Sequence, residues 1–456
     1  MPSKFPLFLA IDFPTPQPCK KPIMQHRDGY IIDVSYPLHF HKEMQPIWLC
    51  HTIQTLGCAV PDISKPYRYC ELGCGPGLNL LVAAACNPAG QFTGIDFNKK
   101  HIASAQALAK TLNIENIRFI EASFDDFAAN NSGKFDFIVS HGTWSWLPPK
   151  AQAGILQLIY QSLEPQGLVY LHYMCYPGAA RLTALQKVLY EAAKITKGDS
   201  VQGIQNGMTL LRTLANKGAG LFVDNPEIQK ELQALEKELP AYLAHEFLTD
   251  YWHPQHSADL HRIISQTGVS FIGSANGFEN MDTLSIPGNL QPILKNLPGQ
   301  ALRETVKDMA RNQHQRQDVF QSSPQTLDVE KHLDLMDKTV FKALPNMPAP
   351  GSLEFKTPIG IIPGPADLFS PLLTALKKGP QSFQALRQLA PFQAEPGLLL
   401  QALAMLMWAD YAHPIRPEQQ PTPAAANLQA WLNSQQLPLR LLPECGTASM
   451  TQTSQH

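Results

Sequence analysis

The chain has 456 residues, 44% of them hydrophobic, with 36 Lys and Arg against 38 Asp and Glu for a formal net charge of -2. That length suits two to four domains with their own cores, and the apolar content excludes bulk disorder. Near-balanced charge argues against a dedicated nucleic-acid binder, and no apolar run approaches the ~20 residues of a membrane-spanning helix.

The first residues hold a short apolar run that Asp12 and the prolines after it interrupt, so no signal peptide is expected. Residues 1–65 read as a Pro-punctuated N-terminal cap segment with a helix-like run from Glu43 to Leu56. From Tyr67 the pattern changes. YRYCEL reads as a buried strand, LNLLVAAAC as a helix and GQFTGID as a second strand, and Asn98 is placed to cap an Ala-rich helix reaching Lys110. IRFIEAS, FDFIVSH and GLVYLHYMC add three strands, with the helix AGILQLIYQSL before the last. Such alternation predicts an α/β fold with a parallel sheet and crossover helices.

Residues 179–255 are helical in pattern and read as an insertion between strands five and six, the sixth lying in TGVSFIGSA. The core is therefore expected over 66–290. Residues 291–350 read as a polar, Pro-broken connector with one helix near 301–316. Residues 351–415 give a mainly helical pattern ending in ADYAHPI, similar to a winged helix. Lys356, Lys377, Lys378 and Arg387 there face Glu354, Asp367, Glu395 and Asp410, a balance that leaves no footprint for nucleic-acid phosphates. Its apolar helix GLLLQALAMLMWA suits packing on the core or between two copies of the chain. Residues 416–456, rich in Pro and Gln, are expected to be a flexible tail. The eight cysteines show no CxxC pair and no zinc spacing, and Cys50, Cys58, Cys70, Cys74 and Cys86 sit among apolar residues. Reduced thiols in a cytoplasmic protein are expected. His39 and His41 have no suitably spaced cysteine to complete a site, so no metal is expected.

The strongest signal is Glu71-Leu72-Gly73-Cys74-Gly75-Pro76-Gly77, between a strand and a helix, with Asp96 closing the next strand. Glycines let the backbone turn tightly and approach a ligand beside a helix N-terminus, and a carboxylate at the second strand can accept ribose hydroxyls. The spacing is GxGxG rather than GxGxxG, and Leu78-Asn79 stands where a Walker loop needs Lys-Ser/Thr. The pattern resembles class I S-adenosylmethionine-dependent methyltransferases, with their Rossmann-like sheet. The resemblance implies S-adenosylmethionine as cofactor, held by Glu71, Gly73, Gly75, Gly77, Asp96, Phe97, Ser123 and Phe124.

The fourth strand runs into Ser140-His141-Gly142-Thr143-Trp144-Ser145-Trp146-Leu147-Pro148, without the Asn/Asp-Pro-Pro-Tyr/Phe of N6-adenine or glutamine methyltransferases. This segment is similar to methyltransferases with a predicted regulatory domain, among them the bacterial outer-membrane-protein lysine methyltransferases. Tyr173 to Gly178, Tyr36-Pro37 and His245 to Leu248 fit the same pattern, so the resemblance spans roughly 36–290. His172-Tyr173-Met174 departs from the family's Ser-Tyr-Asn, removing an amide beside the transferred methyl. On this reading Tyr36, Trp146 and Tyr173 form the cage of a lysine nucleophile, and His141 contacts the cofactor or relays a proton. Trp144 and Tyr176 lie on the same strand ends. His245-Glu246 reads as helix packing, because Thr249 stands where HExxH needs a second histidine.

The leading expectation is methyl transfer to a nitrogen such as a protein lysine, with a protein substrate. Two alternatives stay open. One is a small-molecule O- or N-methyltransferase with the insertion as a lid, and the other a non-catalytic interaction protein that keeps the cofactor pocket.

Overall fold

The computed structural model describes residues 26–416 and 421–451. The signal-peptide reading and Cys19 lie outside the described residues. Strands β1 Tyr67–Leu72, β2 Gly90–Asp96, β3 Ile117–Glu121, β4 Phe135–Ser140, β5 Leu163–Met174, β6 Val269–Ser274 and β7 Gln315–Ser322 form one sheet in the order β3-β2-β1-β4-β5-β7-β6. Strands β1 to β5 pair in parallel, while β7 runs antiparallel to both β5 and β6. The α/β class and Rossmann-like sheet are as expected. Strand order reverses at β1, whose neighbours are β2 and β4, and a crevice opens beyond the carboxyl ends of strands at such a point.

Helices α1 Pro46–Thr55, α2 Leu78–Cys86, α3 Lys99–Thr111 and α5 Pro149–Ser162 follow the expected runs, while α4 Phe124–Asn130, capped by Ser123, is an addition. All nine residues of α2 are buried. A helix apolar on every side needs cover beyond the sheet, and that need locates the end of the chain.

The insertion holds α6 Thr183–Ile195, α7 Ser200–Asn216, α8 Pro226–Leu235 and α9 Pro240–Phe247. It has its own apolar core, built on Leu189, Ile204, Leu243 and Phe247, which also takes Ile31 from the N-terminal segment. Helix α10 Ser257–Ser265 then leads into β6.

The 291–350 span is not a connector. It contains α11 Gln300–Arg311 and β7, the strand that lies between β5 and β6. QRQDVFQS looks polar because its charges are satisfied only in three dimensions. Arg316 is 3% exposed and its Nε donates to both Asp318 oxygens at 3.0 Å, while its terminal nitrogens reach Glu304 at 2.8 Å and Asp308 at 2.5 Å. Burial pushes the Asp318 carboxyl up, but Arg316 and His261 outweigh it and hold it down at about 2.

The C-terminal module places α12 Ala366–Lys378 and α13 Pro396–Trp408 beside a three-stranded antiparallel sheet of 381–382, 340–343 and 412–415. Strand 412–415 pairs with 340–343, which precedes the helices. Helix α13 packs on the core, burying Leu399, Leu403 and Leu406 in one cluster with Trp48 and Phe278.

The expected tail is corrected over 421–451, while 417–420 and 452–456 lie outside the described residues. Helix α14 Pro423–Ser434 and the hairpin 439–450 supply the cover α2 requires. The Thr422 hydroxyl donates to Ala85 O at 2.7 Å, and Asn87 Nδ2 donates to Gly446 O at 2.9 Å.

Asp318→Ala leaves Arg316 with a buried, partly uncompensated charge and is expected to destabilise the fold by about 3–5 kcal/mol. Denaturant unfolding checks it, and an unchanged midpoint would contradict the network's structural role.

Candidate functional site

The glycine loop leaves β1 with left-handed backbone at Gly75 (φ 53°) and Gly77 (φ 83°). A Cβ on Gly77 would lie 2.7 Å from the Phe119 ring, whereas one on Gly75 would meet nothing within 4 Å. Asp96, at the end of β2, ties the loop down: its Oδ2 accepts from Gly75 N at 2.9 Å and its Oδ1 from Asn98 N at 2.7 Å.

Beyond the loop lies a cavity of about 490 Å³, within the ~300–1,000 Å³ range of cofactor sites. Glu71, Gly73, Gly75, Asp96, Phe97, Ser123 and Phe124 line it; Gly77 does not. Gly77 instead lets the chain enter α2 against Phe119. Glu71 Oε2 is buried with no hydrogen-bond partner, and burial followed by the Asp96 charge pushes its carboxyl up to about 8. An unsatisfied acid at the rim of a glycine cradle fits a ligand that carries hydroxyls and positive charge. Phe97 is held by Arg27, whose guanidinium lies 5.5 Å from the ring centroid and donates to Phe97 O at 2.9 Å. The Ser123 hydroxyl is committed to capping α4, accepting from Asp126 N at 3.2 Å.

A smaller cavity of about 60 Å³ shares Tyr30, Tyr36, His41, His141 and Trp146 with the larger one and continues to His172, Tyr242 and Glu246. Three imidazoles stack across it: His141 lies 3.5 Å from His41 and 3.9 Å from His172, centroid to centroid. His141 Nδ1 is 2.8 Å from the Tyr170 hydroxyl. His172 Nδ1 accepts from Gly142 N at 3.0 Å, which leaves its proton on Nε2. Burial drives all these rings towards neutrality, His39, His172 and His245 down to about 4 and His41 and His141 well below their ordinary value. Among the described residues no group of three or more His, Cys, Asp or Glu is arranged to hold a metal ion.

Helix α9 closes this cavity from the insertion side. Trp146 Nε1 donates to Glu246 O at 2.9 Å and so pins α9 to the end of β4. His245 bonds Val34 O at 3.0 Å and the Tyr30 hydroxyl at 3.2 Å, and Tyr36 meets its ring edge-on at 5.0 Å. His245 therefore packs as expected, but Glu246 does more than pack. It lines the smaller cavity beside Tyr242, and burial pushes its carboxyl up to about 8.

The structure thus brings Tyr36, His141 and Trp146 to one wall, and leaves Tyr173 out. The Tyr173 ring is fully buried, lines neither cavity and donates to Asp318 Oδ2 at 2.6 Å. Strand side chains alternate faces, so when His172 points into the cavity Tyr173 points away. Met174, where the family has its amide, is buried with Trp146. Trp144 is core, donating to Gln255 at 2.8 Å, and Tyr176 packs on His256. Tyr242 and Tyr30 have no local signal, and His172 stands out in the sequence only as a departure from Ser-Tyr-Asn. Only the His39/His41 pair and the His245-Glu246 dipeptide hinted at their side of the site.

The chain is similar to known methyltransferases. A methyltransferase-domain model matches residues 63–264, and a model described as a predicted methyltransferase regulatory domain matches 240–321. The uncharacterized protein sll1526 of Synechocystis is 27% identical over 410 residues, covering 89% of this chain and 81% of that one. The uncharacterized protein RP789 of Rickettsia prowazekii is 25% identical over 231 residues, 48% of this chain and 41% of its own length. Among solved structures, PKMT2 from Rickettsia typhi in complex with AdoHcy superimposes with a TM-score of 0.66 at 19% identity, over 84% of this chain and 78% of that one.

Asp96→Ala removes both the loop tether and a carboxylate of the larger cavity. S-adenosylmethionine affinity is expected to fall by roughly 10–100-fold, the equivalent of one charged hydrogen bond, whereas Tyr173→Phe leaves it unchanged. Titration calorimetry checks both.

Proposed function

We propose that this chain, an S-adenosylmethionine-dependent methyltransferase, transfers the methyl group to the side-chain nitrogen of a protein lysine. The observation that carries the reading is the smaller cavity. Tyrosines, a tryptophan, neutral imidazoles and a half-buried carboxyl line it, it has no lysine or arginine among its described lining residues, and it shares a wall with the cofactor cavity. Such walls favour a long aliphatic side chain that ends in a cation.

S-adenosylmethionine supplies an electrophilic methyl on a positively charged sulfur, and AdoHcy, bound in the PKMT2 structure, is what remains once that methyl has left. We assign Asp96 to the ribose hydroxyls, with Gly75 and Asn98 orienting it, and Glu71 to the ligand's positive charge. Gly73 and Gly75 let the backbone approach, and Phe97, Ser123 and Phe124 complete the wall. On the acceptor side, Tyr36 and Trp146 hold the incoming cation, a contact worth about 0.5–2 kcal/mol per ring. His141, stacked between two neutral rings, adds a polar edge without a competing charge. The lysine must also lose a proton. At pH 7 that costs roughly 4–5 kcal/mol from a reference pKa near 10.4, and a dry, aromatic cavity lowers the cost by disfavouring the ammonium. In-line displacement then depends on positioning and the exclusion of water.

The described cysteines are all buried, which supports a reducing, cytoplasmic setting. Among the described residues no helix is long and apolar enough to cross a membrane.

Incubation with methyl-labelled S-adenosylmethionine and a bacterial protein extract, followed by acid hydrolysis, tests the reading. Label is expected as Nε-methyllysine. Label confined to small molecules would overturn the lysine assignment in favour of a small-molecule acceptor.

A further inference from the structure

We propose that Glu246 receives the ammonium group of the acceptor and takes its proton. This rests on the reading of the smaller cavity as the acceptor site and goes on to assign the chemistry within it.

Glu246 lies on α9, held over the strand ends because Trp146 bonds its backbone carbonyl. Its carboxyl lines the cavity, where the described walls offer no lysine or arginine to pair with it. Tyr242, one turn earlier on the same helix, lines the same cavity. A half-buried carboxylate beside an aromatic space without a protein cation is a site for a cation from outside.

The titratable groups around it add no positive charge. Glu238, just before α9, is a second acid, and His245 beside it is neutral. Across the cavity the N-terminal segment presents Tyr30, Tyr36, His39 and His41, the phenols raised and the imidazoles lowered by burial. From the strand ends come His141 and His172, both held neutral by burial. Glu246, pushed up to about 8, is a far better match for an alkylammonium proton than an ordinary carboxylate, since transfer is easiest between groups of similar pKa.

The step balances. One N–H bond of the ammonium breaks and its proton joins the Glu246 carboxylate, leaving a neutral amine and a neutral acid. The amine lone pair then forms the new N–C bond to the methyl of S-adenosylmethionine. The C–S bond breaks with its electron pair remaining on sulfur, and the positive charge ends on the methylated nitrogen. Glu246 returns its proton to solvent as product leaves.

Two measurements on the full chain test this. In the first, calorimetry follows n-butylammonium, a lysine side-chain analogue, binding to the AdoHcy complex at pH 8.5. Glu246→Gln is expected to weaken it at least ~10-fold while leaving AdoHcy affinity and n-butanol binding unchanged. In the second, the pH profile of kcat/KM for methyl transfer into extract protein is recorded. The carboxylate must be ionised to accept a proton, so the wild-type rate rises with pH through about 8. Glu246→Gln loses that limb and keeps only the rise belonging to the substrate amine near pH ~10. If Glu246→Gln no longer binds AdoHcy, Glu246→Asp replaces it, and is expected to keep the limb at a reduced rate. Unchanged butylammonium binding in Glu246→Gln, or a limb lost in Glu246→Asp, overturns the proposal. Wild-type butylammonium binding without labelled lysine would instead overturn the protein-lysine reading and leave the cation site standing.

Discussion

The structure depends on burying a cluster of titratable side chains beside the cofactor cavity. Every titratable group that faces the smaller cavity is driven towards its uncharged form: the imidazoles downward, Glu246 upward to about 8. A stack of three rings with centroids 3.5 and 3.9 Å apart tolerates at most one positive charge, and burial disfavours even that. A site so composed offers an incoming cation aromatic faces and a carboxyl but no competing cation.

Burial of this kind needs walls from distant parts of the chain, and the fold is arranged to supply them. The sheet provides His141 and His172 at adjacent strand ends. The insertion contributes α9, with Tyr242 and Glu246, and the N-terminal segment folds back to add Tyr30, Tyr36, His39 and His41. His245 joins the last two by bonding Val34 and Tyr30, and Trp146 joins α9 to the sheet. The cofactor side is simpler. One strand-loop-helix unit and the carboxylate of Asp96, gripped by two backbone amides, set its geometry.

That contrast explains what could be read from the sequence. Glu71, Gly75 and Asp96 were legible because their chemistry is local: glycines at fixed spacing, then an acid at the next strand end. The parallel sheet was legible from continuous apolar runs. Strand β7 was not, since Arg316 and Asp318 look like surface residues until Glu304 and Asp308 close around them. The ordered C-terminal stretch was hidden in a Pro/Gln-rich composition, although the all-apolar α2 already required a cover. Tyr173 failed on phase. In a strand a shift of one residue exchanges faces, and the side chain that reaches the cavity is its neighbour His172. Glu246 was hidden for the opposite reason to Asp96: its meaning comes from residues some 200 positions earlier in the chain.

The central claim is that two adjoining chambers, one for the nucleotide and one for the acceptor, meet at the wall formed by Tyr36, His141 and Trp146. The most direct measurement is a crystal structure of the complex with AdoHcy. The account predicts the adenosine in the larger cavity, with its ribose on Asp96, and the sulfur at that shared wall facing the smaller cavity. A sulfur turned away from Glu246, or a homocysteine arm that fills the smaller cavity itself, would contradict it.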